Sequence, residues 1–243
     1  MALPAPRTPP STPAAREGWF RRKPLYDRRE ILAAAAVAQG KGKPKKALTQ
    51  YLRVLEMEPD NPTLLMKAAV LFAETRQPDD AWKSFTHAAE LFQKDGLVDK
   101  WSSVWAQTVI YFPRSHEAWL SLAKAKSARG VPAEAAAMLL TGSRNFTRRK
   151  DREMKVTLLE EAFRLVPYQF DVTMAYVAAL VANKQRGDAF DLLEEMVERT
   201  SGSKLRKIRG KMFRLRPTPA SAWRWLRATP AQRAASASST RRR

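Results

Sequence analysis

Cysteine is absent from the 243-residue sequence, so the chain can form neither a disulfide bond nor a thiolate metal site. This absence fits a reducing compartment, and we expect the protein in the cytoplasm. Long apolar runs are missing as well: the longest, ILAAAAVA at residues 31–38, is far shorter than the roughly 20 residues that cross a bilayer. We expect no secretory signal peptide, because the first 20 residues contain five prolines and no continuous apolar segment.

Carboxylates are absent after Glu198, and this absence concentrates the net charge of +20 in one segment. Residues 1–30 have seven basic and three acidic side chains (+4), and residues 31–198 have 23 and 21 (+2). Residues 199–243 have 14 basic side chains and no acidic one (+14). A polycation attached to a nearly neutral body favours acidic partners, among them acidic proteins, nucleic acid and anionic membranes.

Groups suited to catalysis are scarce. His87 and His116 are the only histidines, and neither belongs to a metal-ligand or Ser/His/Asp pattern. The glutamate pairs at 160–161 and 194–195 are adjacent on predicted helices, so the two side chains of each pair point in different directions. The turn QGKGKPKK lacks the spacing of a phosphate-binding loop. The sequence therefore predicts no enzyme, no cofactor and no metal site.

The body of the chain is repetitive, because prolines at positions 59, 113 and 167 recur with a constant spacing of 54. An alanine stands at position +22 from each proline, which gives the pairs Pro59 and Ala81, Pro113 and Ala135, Pro167 and Ala189. Each proline precedes an apolar pattern with helical period, a polar turn, a second helix and a third. The third helices are KWSSVWAQTVIYF, EMKVTLLEEAFRLV and LRKIRGKMFRL. We call the stretch from one of these prolines to the next a unit, and each unit is predicted to be all helical.

The stretch REILAAAAVAQGKGKPKKALTQYLRVLEMEP resembles a tetratricopeptide repeat. The matching positions are Ala34 and Ala35 in the first helix, Gly42 in the turn, and Ala47, Tyr51, Val54 and Pro59 along and after the second helix. Ala81 follows Ala47 at a spacing of 34, the repeat length of the family. Similar stretches around Ala135 and Ala189 extend the resemblance to about residues 28–199. Three helices per unit depart from the family's alternation of two helices.

The resemblance implies an all-α fold, a right-handed solenoid of antiparallel helix hairpins with about nine to eleven helices and disordered basic ends. We predict four segments along the chain. They are a disordered Pro/Ala/Arg-rich segment (1–24), a helical repeat domain (25–199), a basic amphipathic capping helix (200–216) and a basic, Trp-containing tail that is disordered at its end (217–243).

Tetratricopeptide arrays act as scaffolds that hold a protein or peptide in a groove, and the resemblance implies the same function here. It also implies that certain first-helix residues face the groove: Met66, Val70, Glu74, Leu120, Lys124, Met174 and Ala178. The alternative is that these residues are ordinary surface residues or pack between repeats. Another protein is therefore the first predicted partner, and the sequence does not indicate an oligomeric state.

The basic C-terminal region supports two alternative functions. Its candidate contact residues are Lys204, Arg206, Lys207, Arg209, Lys211, Arg214, Arg224 and Arg227. A capping helix explains the apolar positions between them, but not why every charge is positive. Binding of RNA or DNA phosphates, or of anionic lipid, would explain the charge. Trp223 and Trp225 either stack on bases or insert at a membrane interface, or they fold back onto the last helices. The many arginines and alanines indicate a GC-rich bacterial genome.

Overall fold

A computed structural model describes residues 27–227, and this part of the chain contains twelve α-helices and no strand. The α-helices are α1 (Arg28–Gly40), α2 (Pro44–Leu55), α3 (Pro62–Glu74), α4 (Pro78–Lys94), α5 (Val98–Tyr111), α6 (His116–Ala128), α7 (Pro132–Gly142), α8 (Arg152–Leu165), α9 (Phe170–Ala182), α10 (Arg186–Arg199), α11 (Gly202–Leu215) and α12 (Pro219–Arg227). Two 3-10 turns, Ser143–Asn145 and Arg149–Asp151, lie between α7 and α8. The segments predicted to be disordered, 1–24 and the end of the tail, lie outside the described residues.

The helices form a solenoid, because each one packs against the next from α1 to α12. Helices two positions apart also touch, as α6 touches α8 and α7 touches α9. The all-α helical solenoid predicted from the sequence is confirmed. The described residues contain one helix more than the nine to eleven expected, and the additional helix is α12, which lies in the predicted tail.

Local signals fix where the helices begin. Asp27, Asn61 and Ser115 accept hydrogen bonds from backbone N–H groups in the first turns of α1, α3 and α6. Helices α2, α4 and α7 begin at a proline instead, whose fixed φ and missing N–H suit the first helical position. Thr218 and Ser221 cap α12, since the backbone N–H of each is bonded to the side-chain oxygen of the other.

Small residues lie where the helices cross. The repeat alanines Ala47, Ala81, Ala135 and Ala189 are all 0% exposed, which allows neighbouring helices to approach closely. In α1 Ala35 is buried, whereas Ala34, which the repeat pattern also matched, is exposed. Larger side chains fill three successive apolar clusters, in α1–α3, in α3–α9 and in α8–α11. The core is therefore distributed along the array rather than concentrated at one point.

The third helices of the three units, α5, α8 and α11, are each 14 residues long. Each is followed by one residue and then a proline, at 113, 167 and 217. The spacing from Pro167 to Pro217 is therefore 50 rather than 54, and Pro217 continues the series of prolines. Helix α12 begins two residues after Pro217, whereas α3, α6 and α9 begin three residues after their prolines. It is the first helix of a fourth unit.

Candidate functional site

Helix α9 is apolar on nearly every side, although only part of it is buried. Val177 and Leu180 pack into the cluster formed by α8–α11. On another side Ala178 and Ala182 are exposed and Met174 is half-buried. Residues 174, 178 and 182 are four apart and therefore lie above one another on a helix. The exposed side of α9 is thus an apolar strip of small side chains.

A depression of about 560 Å³ follows this strip. Its floor consists of alanines of α9, including Ala178 and Ala182, and α7 contributes Leu140. Arg144, from the first 3-10 turn, and Lys155, from α8, also line it. The carboxylate of Asp171, in the first turn of α9, lines the same depression.

A second depression of about 660 Å³ lies between α9, α11 and α12. Met174 contributes from α9 and Trp225 from α12, and α11 contributes four cations: Arg206, Lys207, Lys211 and Arg214. No carboxylate lines this depression within the described residues. The rings of Phe213 and Trp225 stack with centroids 6.0 Å apart and an angle of 2° between their planes. The two depressions share no lining residue, but α9 contributes side chains to both, and we call them together the α9 groove.

The cations of the α9 groove lack carboxylate partners. Across residues 27–227, no carboxylate oxygen lies within 4.0 Å of the basic nitrogens of Arg144, Lys155 or the four α11 cations. Elsewhere in the repeats some cations are paired, as Lys126 is with Glu134 at 3.1 Å and Arg129 with Asp99 at 2.7 Å. Others, such as Lys67 and Lys83, have no carboxylate within 4.0 Å among residues 27–227. The charges around the groove are therefore compensated by solvent or by a ligand.

The candidate groove residues fall into three groups. Met66, Val70 and Leu120 are half-buried and pack against the central apolar cluster. Glu74 and Lys124 are exposed in the first and second units. Met174 lines the same depression as the candidate basic residues 206, 207, 211 and 214, and Ala178 lines the other depression of the α9 groove. The structure thus brings one candidate groove residue together with half of the candidate basic surface.

The other candidate basic residues point elsewhere. Arg209 and Arg224 line a third depression, of about 560 Å³, between α10, α11 and α12, together with Glu194 and Glu198. Arg209 donates a hydrogen bond of 3.1 Å to the backbone oxygen of Arg224. Lys204 lies over the ring of Phe170, with its Nζ 5.3 Å from the ring centroid, and Arg227 lies over that of Trp223 at 4.5 Å. The basic surface is therefore divided between two faces of the α11–α12 hairpin.

Arg144 and Lys155 were not among the candidates derived from the sequence. The sequence contains a basic run at residues 144–152, but the distance of this run from the tail depends on how the solenoid winds. The run is divided in the structure. Arg144 lies at the α9 groove, whereas Arg148 and Lys150 line a separate depression of about 440 Å³ with Arg114.

The described residues show no catalytic constellation. They contain no group of three His, Asp or Glu side chains that could hold a metal ion. The Nε2 of His87 is 3.0 Å from a carboxylate oxygen of Asp60 at the surface. The hydrogen bond from the Tyr168 hydroxyl to Glu195 raises the pKa of that tyrosine, and burial raises the pKa of Tyr176. Both phenols stay protonated at neutral pH, so neither supplies a phenolate base.

Between residues 27 and 227, every helix is too short or too polar to cross a membrane.

No protein-family model and no curated protein matches the sequence. The packing of each helix on the next and the buried repeat alanines define the architecture, which is an all-α helical solenoid. Similar solved structures include a TPR repeats protein from Bacteroides fragilis, at 11% identity and a TM-score of 0.47, which aligns with 83% of this chain and 97% of its own. The MamA protein aligns at 16% identity and a TM-score of 0.31 over 70% of this chain and 90% of its own. A human IFIT1 dimer with m7Gppp-AAAA aligns at 12% identity and a TM-score of 0.30, over 88% of this chain and 54% of its own.

Proposed function

We propose that this repeat protein is a non-catalytic scaffold that binds another protein, and that it holds an acidic, partly apolar segment of that partner in the α9 groove. The observation that carries the proposal is the exposed apolar strip of α9 and the cations of the two depressions that include it. Two cations line the depression at Ala178 and Ala182, and four line the depression at Met174; none of the six has a carboxylate partner among residues 27–227. Cytoplasmic localisation and a bacterial origin stay predictions.

The two parts of the groove would make different contributions to binding. Apolar side chains laid over Ala178 and Ala182 would leave water, which is favourable by about 25 cal/mol for each Å² of apolar surface buried. The cations would attract carboxylates, increase the association rate and select against basic segments. A segment that carries leucine or phenylalanine between acidic residues matches both parts.

The α9 groove favours a protein partner over nucleic acid. Base stacking requires aromatic rings with a free face. Phe213 and Trp225 stack on each other, and the Nε1 of Trp225 also lies against the backbone of Gly210. The strip itself is made of alanines and Met174. Nucleic acid and anionic lipid stay alternative predictions for the basic C-terminal region.

Fluorescence anisotropy with a labelled amphipathic peptide of Leu, Phe, Glu and Asp tests the proposal. A matched peptide with Gln and Asn at the acidic positions reports the contribution of charge. Ala178→Glu places a carboxylate in the floor of the groove, and Ala36→Glu is the control, because Ala36 is also exposed on a helix but lies in α1. We expect the acidic peptide to bind the native protein, to bind Ala178→Glu about tenfold more weakly, and to bind Ala36→Glu unchanged.

Parallel titrations with a single-stranded RNA and with anionic vesicles, at low salt and at about 0.15 M salt, separate the alternatives. Equal affinity for the acidic and the amide peptide would contradict the charge-complementary groove. Tight RNA binding at the higher salt together with no peptide binding would replace the protein partner by nucleic acid. Binding to anionic vesicles alone would indicate a peripheral membrane protein.

A further inference from the structure

The second unit contains a long connection that the first and third units lack. Nine residues, 143–151, separate α7 from α8. Three residues, 95–97, separate α4 from α5, and two, 200–201, separate α10 from α11. The nine residues form the two 3-10 turns and include the exposed cations Arg148 and Lys150. The long connection therefore adds a basic segment at one point of the array.

Two buried side chains hold this connection in place. Phe146 is 2% exposed and belongs to the central apolar cluster. Asp151 is 5% exposed, and its carboxylate accepts a hydrogen bond from the guanidinium of Arg114. The same carboxylate accepts a second hydrogen bond, of 3.3 Å, from the backbone N–H of Arg148. The exposed residues 147–150 are consequently fixed at both ends.

The residue that follows the proline of each unit makes a different contact in the second unit. In the first and third units this residue contacts position +28 from the proline, on the second helix. The two pairs are Asp60 with His87, at 3.0 Å, and Tyr168 with Glu195, at 2.8 Å. In the second unit Thr141 occupies position +28, and Arg114 contacts Asp151 at position +38. The guanidinium of Arg114 is thereby held beside the long connection.

A depression of about 440 Å³ lies at this pair, and we call its lining the Arg148 site. The lining consists of Arg114, Arg148, Lys150, Asp151 and Met154. Three cations and one carboxylate give it a net charge of +2. The basic nitrogens of Arg148 and Lys150 have no carboxylate oxygen within 4.0 Å among residues 27–227. Solvent or a ligand therefore compensates this charge.

We propose that the Arg148 site binds a phosphorylated serine or threonine side chain of a partner protein. A phosphate monoester carries a charge of about −1.5 to −2 at pH 7 and has three strong acceptor oxygens, so it matches the +2 of the lining. The guanidinium of Arg148 can donate two parallel hydrogen bonds to such a group, and Lys150 adds a third cation. Asp151 already fixes the position of Arg114, so this arginine loses little side-chain freedom when the phosphate binds.

The lining favours a phosphorylated side chain over nucleic acid and over a carboxylate. Bases of single-stranded nucleic acid stack on aromatic rings, and within the described residues no aromatic ring lines the Arg148 site. A carboxylate carries one negative charge and neutralises only half of the lining. The site shares no lining residue with the α9 groove, so this proposal does not depend on the proposed function.

Fluorescence anisotropy with a short labelled peptide that carries one phosphoserine tests the proposal on the full-length protein. Matched peptides carry glutamate or unmodified serine at that position. The variant Arg148→Gln/Lys150→Gln removes two exposed cations of the site. Lys45→Gln/Lys46→Gln is the control, because both lysines are exposed on α2 and the variant loses the same net charge. Arg114 is kept, because its loss would leave a buried carboxylate without its partner.

We expect the phosphoserine peptide to bind the native protein saturably and to bind Arg148→Gln/Lys150→Gln about tenfold or more weakly. The lysine control should bind it as the native protein does. The glutamate peptide should bind at least about fivefold more weakly than the phosphoserine peptide, because it carries less charge and fewer acceptor oxygens. Ala178→Glu should leave this binding unchanged, which separates failure of the Arg148 site from failure of the α9 groove. Circular dichroism checks that each variant keeps its helix content.

Several results would overturn the proposal. They are equal affinity for the phosphoserine and serine peptides, unchanged binding by Arg148→Gln/Lys150→Gln, an equal loss in the lysine control, and no saturation up to about 1 mM. Displacement of the peptide by inorganic phosphate at a concentration near the Kd of the peptide would replace the phosphorylated protein by a free phosphate. Single-stranded RNA that binds at about 0.15 M salt, and does so about tenfold more weakly with the same variant, would make nucleic acid the ligand if the peptide did not bind.

Discussion

Three residues at the same place in successive units have a left-handed backbone. Arg76, Gly130 and Lys184 stand at position +17 from the prolines of their units, with φ of 65°, 80° and 69°. Each follows the first helix of its unit and ends it. A glycine is the usual residue here because it has no Cβ to clash in this conformation. The arginine and the lysine therefore hold strained backbones.

Exchanging residues at these positions should change stability in opposite directions. In this conformation a residue with a Cβ destabilises the folded protein by about 1–2 kcal/mol relative to glycine. Glycine loses part of this advantage, because it gives up more conformational freedom when the chain folds. We expect Arg76→Gly to raise the free energy of unfolding by about 0.5–1 kcal/mol. Gly130→Ala should lower it by about 1 kcal/mol, since the space around Gly130 is open and only the backbone is strained. Urea unfolding monitored by circular dichroism measures both, and a loss of stability in Arg76→Gly would contradict the argument.

Individual helices could be predicted from the sequence because their signals are local. The apolar stripes, the prolines and the capping residues lie within one or two turns of what they determine, and α5 and α8 form where the repeated prolines predict them. The role of Pro217 as the end of the third unit was hidden because that unit is four residues shorter, so α12 was assigned to the tail.

The groove could be predicted only in part, because it depends on contacts between distant elements. Met174 and Ala178 were among the candidates from their helix position alone. The approach of Arg144 to α9 depends on the two 3-10 turns, which carry no repeat pattern. Met66 is half-buried against the central apolar cluster, as Met174 is against the α8–α11 cluster, so burial alone does not separate these two candidates.

The docking of α12 on α11 depends on a single glycine. A Cβ on Gly210 would lie 2.9 Å from the Nε1 of Trp225, so the indole of Trp225 occupies the space that a side chain would need. The ring of Phe213 and the bond from Arg209 to the Arg224 oxygen complete the contact. Among its described side chains, helix α12 adds none to the three buried clusters. It is therefore held locally rather than by the core.

Gly210→Ala should loosen α12 without unfolding the repeats. The new methyl group displaces Trp225, while alanine in place of glycine favours the α11 helix by up to about 1 kcal/mol. We expect faster hydrogen exchange at residues 219–227, with the urea midpoint of the whole protein unchanged or slightly raised. Gly187→Ala is the control, because Gly187 is also helical but has open space at its Cβ position. Unchanged exchange in α12 would show that the indole does not need the glycine.

At the scale of the whole molecule, charge is unevenly compensated. Two cations of the second unit pair with carboxylates, as in Lys126–Glu134 and Arg129–Asp99. On α11 the cations Lys207 and Lys211 stand four residues apart and have no such partner in the described part of the chain. Like charges at this spacing destabilise a helix by about 0.2–0.5 kcal/mol. The basic end consequently lowers the stability of the free protein, as expected for a surface that becomes neutralised on binding.

Neutralising α11 should therefore stabilise the free protein and make it less sensitive to salt. We expect the double variant Lys207→Gln/Lys211→Gln to raise the free energy of unfolding by about 0.5 kcal/mol at low salt and by less at about 0.3 M salt, where the repulsion is screened. Lys126→Gln/Arg129→Gln removes two paired cations instead, and should lower stability by up to about 1 kcal/mol per ion pair. Urea unfolding at the two salt concentrations measures all three proteins. If the α11 variant were less stable than the native protein at low salt, its lysines would stabilise the array through contacts other than charge. The repulsion among the α11 cations would then not lower the stability of the free protein, which would contradict the expectation that a partner neutralises this end of the array.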